Sequence, residues 1–233
     1  MKIPHRGTPA LLAAIALLAA TPAHGQSVVV DDGTFALTVE GRPAGSESFT
    51  IRRAGLGDDA TIIAHGVVQL DLAEGRRELR PMLQAVPPEG VATGYQLKIS
   101  GLESTQVNMT LAGRRYVSVL RSERGEEERE FLAREGTRVL EPWVAHHYWF
   151  LRDVREGERV WIIEPRDRRQ RELRVTGVLD DAVTVAGSRV PARRVTLEVD
   201  GEARRAWFDA QGHVLRLEIP GRDYAAQRQD LPG

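Results

Sequence analysis

The feature that most constrains this chain is a two-residue alternation of apolar and polar side chains, which recurs along most of its length. Phe35, Leu37 and Val39 show it near the start, and residues 215–219 repeat it near the end. Successive side chains of a β-strand point to opposite faces, so this period predicts strands with one buried and one solvated face. Such strands are typical of antiparallel sheets, because parallel sheets are buried on both faces.

Short turn sequences separate the strand candidates. Residues 41–45 and 209–212 are glycine-containing turns between two alternating runs, and they predict hairpins. The other strand candidates are residues 61–72, 79–85, 97–99, 107–111, 116–120, 160–163, 173–179, 183–185 and 190–199. We therefore expect a mainly β fold, with a single strongly curved antiparallel meander sheet that forms a half-barrel or an open barrel.

One segment, residues 140–151, breaks the period. Pro142 stands where a first helical turn tolerates proline, and apolar or aromatic side chains follow around most of the helical circumference. A helix of this kind must be buried on more than one side. We expect it to lie inside the concave face of the sheet, which would wrap around it.

The N-terminus has the order of a secretory signal peptide. Lys2 and Arg6 precede an apolar run over residues 10–20, and small residues follow at Ala23 and Gly25. The sequence predicts a signal peptide over residues 1–25 and a single β-rich domain over residues 26–233, with cleavage after Ala23 as the alternative. The apolar run is too short to span a membrane, and no later stretch has the length of a transmembrane helix. The expected location is periplasmic or secreted.

Composition excludes several classes of function. Cysteine is absent, which removes disulfides, thiolate metal sites, cysteine nucleophiles and a lipidated N-terminus. With 32 basic and 33 acidic residues the formal charge is −1, and loss of Lys2 and Arg6 with the signal peptide changes it to −3. This balance gives no polycation for nucleic acid.

The many arginines have two interpretations, recognition of anionic groups or solvated surface positions, and we favour the second.

The sequence contains no phosphate-binding glycine loop, zinc-protease motif, nucleophile elbow or calcium loop. His146 and His147 are adjacent, whereas shared metal ligation on a helix uses a spacing of three or four residues, so core packing is the better interpretation. The aspartate pairs at 31–32, 58–59 and 180–181 stand beside turn signals and favour turns over acid–base dyads. We expect no catalytic residue, no metal site and no cofactor.

The aromatic cluster of residues 140–151 is the one candidate binding site. Two interpretations remain open, packing of the core under a curved sheet and the wall of an apolar ligand cavity. The candidate cavity-lining residues are Trp143, His147, Tyr148, Trp149 and Phe150.

Two hairpins carry a resemblance to a known group of proteins. Residues 35–47 (FALTVEGRPAGSE) resemble the first hairpin, and residues 206–218 (AWFDAQGHVLRLE) the last hairpin, of uncharacterised exported bacterial β-proteins. These families of unknown function are distantly similar to periplasmic lipoprotein carriers of the Lol type. The resemblance implies a bent antiparallel sheet around a helix, and it carries over no catalytic residue. The carriers cover their cavity with several helices, whereas this sequence predicts one.

The expected function is therefore that of a soluble, non-catalytic envelope protein. It would bind an apolar or amphipathic ligand (a lipid, an acyl chain or a lipoprotein tail) on the concave face of its sheet. The alternative is a structural or protein-interaction module of the cell envelope with a fully packed core. A hydrolase would need convergent polar groups that the sequence does not reveal.

Overall fold

A computed structural model describes residues 27–88 and 90–233. The signal peptide expected over residues 1–25 lies outside the described residues. Fifteen strands account for most of the described chain. They are β1 (Val28–Val39), β2 (Arg42–Ala54), β3 (Thr61–Leu72), β4 (Gly75–Val86), β5 (Val91–Gly101), β6 (Thr105–Ala112), β7 (Arg115–Ser122), β8 (Gly125–Leu132), β9 (Arg138–Val139), β10 (Arg159–Glu164), β11 (Arg169–Val185), β12 (Ser188–Val199), β13 (Glu202–Phe208), β14 (Val214–Ile219) and β15 (Tyr224–Arg228). Three 3₁₀ helices interrupt them, at Gly57–Asp59, His146–Leu151 and Pro220–Arg222.

All fifteen strands belong to one sheet, in the order β8-β7-β6-β5-β4-β3-β2-β1-β15-β14-β13-β12-β11-β10-β9. Every neighbouring pair is antiparallel except β9 with β10, where Arg138 pairs with Ile162 in a parallel bridge. The first and last strands meet in the middle of the sheet, with Phe35 of β1 opposite Arg228 of β15. The predicted mainly β fold with one large, unclosed antiparallel sheet is confirmed.

The alternation predicted from the sequence sets which side chains form the core. Phe35 and Leu37 on β1, and Leu215 and Leu217 on β14, are at most 1 % exposed. A second, smaller apolar cluster forms where the long β11–β12 hairpin contacts β13 and β14. It contains Val183, Val185, Ala192, Trp207 and Leu215. The hairpin is held there by the Trp207 indole N–H, which donates to the Asp181 carboxylate at 2.9 Å.

The helix predicted over residues 140–151 is wrong. Only His146–Leu151 is helical, as a 3₁₀ helix of six buried residues, and Trp143 has a φ of +71°, which a right-handed helix does not allow. Hydrogen bonds explain the late start. The Leu140 N–H donates to the Ile163 carbonyl of β10 at 3.1 Å, and the Glu47 carboxylate accepts the N–H groups of Ala145 and His146. The buried carboxylate therefore fixes where the helix begins.

The two aspartate pairs predicted as turns at 31–32 and 180–181 lie inside strands β1 and β11. Asp31 is buried because the Arg228 guanidinium donates to its carboxylate at 2.9 Å, and this pair joins the first strand to the last. Asp181 is held by Trp207 and by the N–H of Ala182. In both cases a side chain distant in sequence, Arg228 or Trp207, donates to the aspartate inside the sheet. These aspartates therefore do not have the turn role that the local sequence suggested.

The 3₁₀ helix packs against β3 where that strand has a glycine. A Cβ atom on Gly66 would lie 2.8 Å from the His146 Cε1 and 3.0 Å from the Ser48 carbonyl oxygen. The β3–β4 ladder is also interrupted here, between the pairs His65–Met82 and Val68–Leu79. Gly66 therefore allows the imidazole to contact the strand backbone.

Gly66→Ala is expected to lower the free energy of unfolding by about 1–3 kcal/mol, because the added methyl overpacks a fully buried contact. Gly177→Ala is the matched control, since Gly177 also lies in a strand and its Cβ would have no neighbour within 4 Å. Urea unfolding of both variants measures the difference. Equal stability of the two variants would show that His146 does not need this close approach.

Candidate functional site

The predicted cavity-lining residues lie in the core of the sheet. His147, Tyr148, Trp149 and Phe150 are buried, and Trp143 is half-buried with its ring edge-to-face against Tyr224 at 5.2 Å between centroids. Trp149 and Phe150 contact each other at 5.2 Å, and the Arg152 guanidinium stacks over the Trp149 ring at 3.5 Å. The structure therefore packs these side chains against different neighbours in the interior, with Trp149 and Phe150 in mutual contact, and Phe150 also lines an open pocket.

Glu47 and His146 form the first part of a buried polar network. Both side chains are 0 % exposed, and Oε1 of Glu47 lies 2.6 Å from Nδ1 of His146. The same carboxylate accepts the N–H groups of Ala145 at 2.7 Å and His146 at 2.8 Å. Phe49 stacks parallel to the imidazole at 5.5 Å. A buried carboxylate with three hydrogen-bonding partners is stabilised in its position, so this pair anchors the 3₁₀ helix to β2.

His147 and Glu141 form the second part. The Glu141 N–H donates to Nδ1 of His147 at 3.1 Å, which leaves the ring proton of a neutral imidazole on Nε2. Burial, and next the neighbouring His146, lower the pKa of His147 well below its usual value. Neither Nε2 of His146 nor Nε2 of His147 has a hydrogen-bond partner among the described residues.

The Glu141 carboxylate is buried beside two further polar groups. The Tyr95 hydroxyl donates to its Oε2 at 3.4 Å, and the Arg166 Nε lies 3.0 Å from its Oε1. Burial raises the pKa of Glu141 to about 7, although the Arg166 guanidinium opposes the shift. The carboxyl is thus poised to exchange a proton near neutral pH inside the sheet.

A third part of the network surrounds Arg204, whose side chain is 2 % exposed. Its guanidinium donates to Glu164 at 2.9 Å, to Glu202 at 2.7 Å and to the Tyr148 hydroxyl at 3.2 Å. The Arg171 Nε lies 3.3 Å from the other oxygen of Glu164. The buried charges are therefore paired, as burial in a low-dielectric interior requires.

Sequence reasoning identified the two histidines but missed the charged members of the network. The two-residue alternation of the strands does indicate that these charged residues are buried. Glu47 shares the inward parity of Phe49 and Ile51, and Arg204 shares that of Ala206 and Phe208. A charged residue at an inward position predicts a buried ion pair. The identity of its partner, such as Glu164 for Arg204, depends on the sheet order and cannot be read from local sequence.

The other histidines lie apart from this network. His65 is exposed on β3, and His213 contacts Asp209 at 2.8 Å beside the last hairpin turn. Among residues 27–88 and 90–233, no three or more histidine, aspartate or glutamate side chains are placed to hold a metal ion. No helix in this part of the chain is both long enough and apolar enough to cross a membrane.

Among the described residues, side chains bridge a gap at the edge of the sheet formed by β8. We call this gap the seam, and it runs between β8 and residues 165–171, which comprise the β10–β11 connection and the start of β11. Arg168 pairs with Glu127 across it, and the Gln170 amide N–H donates to the Leu132 carbonyl at 2.7 Å. Within the described residues no backbone hydrogen bond joins β8 to β10 or β11. Pockets of about 520 Å³ and 430 Å³ open on the two sides of Arg168.

Comparison with solved structures finds a structural neighbour. No protein-family model matches the chain, and no curated protein matches it. A crystal structure described as a β-barrel-like protein of the domain of unknown function DUF1849 from Brucella abortus is similar at 12 % identity. The match covers 85 % of this chain and 94 % of that chain, with a TM-score of 0.45.

Glu141→Gln is expected to change how stability depends on pH. The folded-state pKa of about 7 lies above the ordinary 4.5, so unfolding of the wild type releases a proton between these values. The wild type therefore loses stability relative to the variant as the pH rises through this window, by on the order of 3 kcal/mol in total. Urea unfolding across the window measures the difference.

The matched control is Glu172→Gln, at a half-buried carboxylate whose pKa is lowered, chiefly by its hydrogen bond from Arg174. The stability that this lowered pKa contributes is present above the ordinary pKa and is lost as the pH falls. The difference in stability between the wild type and Glu172→Gln should therefore change with pH in the opposite direction to that for Glu141→Gln. A stability difference for Glu141→Gln that stays constant between about pH 4.5 and 7 would contradict the buried carboxyl's role.

Proposed function

We propose that the protein is an exported, non-catalytic interaction module of the cell envelope, whose core is packed by its own side chains. This is the alternative expected from the sequence, and the observation that carries it is the burial of the predicted ligand-lining residues. His147, Tyr148, Trp149 and Phe150 are each at most 6 % exposed. This burial supports a core that is filled by the chain's own side chains.

Energetics favour this assignment over a ligand in the core. Burial of one large apolar side chain contributes about 1.5–3 kcal/mol, whereas a methylene group of a ligand contributes about 0.8 kcal/mol. An acyl chain that displaced Trp149 and Phe150 would therefore need several methylenes merely to offset the loss. It would also remove the contact between the Trp149 and Phe150 rings, at 5.2 Å between centroids, and the stacking of Arg152 over Trp149.

The non-catalytic assignment is supported by how the two core histidines are used. His146 is engaged with Glu47 and His147 with the Glu141 backbone, and both rings are 0 % exposed. A general base must reach a proton on a substrate, and these rings are enclosed by the sheet. The export assignment rests on the charged, apolar and small-residue order of residues 1–25.

A second candidate function, binding of an amphipathic ligand, is favoured by one specific contact. Phe150 also faces a pocket of about 450 Å³, which Pro88, Val154 and Arg155 line as well. An apolar tail would contact Phe150 and Val154 there, and a negatively charged head group would lie beside Arg155.

Solvent extraction of the mature protein, purified from the compartment to which it is exported, separates the two candidates. A packed interaction module should release no stoichiometric lipid by mass spectrometry. Recovery of about one lipid per chain would overturn the proposal in favour of the second candidate. In that case Arg155→Glu should reduce the bound lipid, whereas Arg53→Glu, at an exposed position on β2, should not.

A further inference from the structure

We propose that the free edge of β8 at the seam binds an extended, basic polypeptide segment of a partner protein, which adds to the sheet as a further strand. This inference rests on the proposed function, since it names the partner class of the interaction module.

The backbone groups that face the seam follow from two hydrogen bonds. The Ala133 N–H donates to the Arg114 carbonyl at 3.0 Å, towards β7, whereas the Leu132 carbonyl accepts from Gln170 across the seam. Backbone groups of successive strand residues alternate in direction. The N–H and C=O groups of Glu126, Glu128 and Glu130 therefore also face the seam, where no strand of the described part of the chain pairs with them.

The chain's own side chains occupy the seam as a strand would. The Gln170 amide N–H donates to the Leu132 carbonyl at 2.7 Å, as the backbone N–H of an added strand does. Arg168 pairs with Glu127, as a basic residue on a neighbouring strand would. Arg168 belongs to the short connection between β10 and β11, and Gln170 is the second residue of β11. Their displacement breaks no backbone pairing of the sheet.

Charge selects the kind of segment. β8 has the sequence GEEEREFL, with four glutamates and one arginine, and all residues from Gly125 to Glu130 are exposed. Across the seam, Arg166 and Arg171 are already engaged with Glu141 and Glu164. Glu126 and Glu130 are paired with Arg121 and Arg115 of β7, so Glu127, once Arg168 is displaced, and Glu128 are the carboxylates with which lysine or arginine residues of an added segment would form cross-strand pairs.

Fluorescence anisotropy with defined peptides tests the proposal. The probe is a labelled octapeptide of alternating lysine and valine, which matches the eight residues of β8. We expect it to bind, and we expect the same peptide with alternate backbone nitrogens methylated to bind about tenfold more weakly, because it lacks donors for the strand. An octapeptide of alternating glutamate and valine should not bind.

Two pairs of variants locate the site. Glu128→Pro removes an N–H that faces the seam and leaves the β7–β8 ladder intact, so it should weaken binding beyond the effect of Glu128→Ala, which removes only the charge. Gln170→Ala and Arg168→Ala remove the side chains that compete for the edge, so each should tighten binding severalfold. Amide hydrogen exchange should show peptide-dependent protection at Glu126, Glu128 and Glu130.

Several results would overturn the proposal: no binding of the basic peptide, equal binding of the methylated peptide, preferential binding of the acidic peptide, or no difference between Glu128→Pro and Glu128→Ala. These outcomes leave the proposed function standing, because that function is tested by the lipid content of the purified protein. Stoichiometric lipid together with peptide binding would instead overturn the packed interaction module and keep the edge site.

Discussion

Glu47 occupies an inward position on β2, where the alternation otherwise places apolar residues, and its carboxylate is completely buried. An unpaired charge in such a place would be strongly destabilising, so the surrounding structure has to supply donors. It does so with two backbone N–H groups and the His146 ring. The irregular segment after β9 is thereby drawn into the sheet, and the aromatic residues that follow are brought into the core with it.

The other buried charged side chains also require partners inside the protein. Glu141, Glu164 and Arg204 are buried at positions that the strands and the 3₁₀ helix fix, and each is paired with a residue distant in sequence. Paired buried charges often contribute little net stability compared with apolar side chains, but a broken pair is costly. The network therefore specifies one arrangement of the sheet and the inserted segment.

The sequence predicted the fold well where the determinant was local. Period-two alternation identified the strands, and short turns predicted an antiparallel meander, because both depend on a few neighbouring residues. The helix over residues 140–151 failed because its composition suited a buried helix, while hydrogen bonds from Leu140 to β10 and from Glu47 to Ala145 determined the backbone. These partners lie 23 and 98 residues away, and no local pattern encodes them.

The pairing of β1 with β15 in the middle of the sheet has a consequence for how the protein assembles. The two halves of the chain, which run outward from this central pair, can each form hairpins early, but they join only when the last strand is available. The Asp31–Arg228 pair, 197 residues apart in the chain, closes at that moment. The continuous sheet therefore cannot exist before β15 has been synthesised, and chains that end before β15 would leave two unjoined half-sheets with exposed edges.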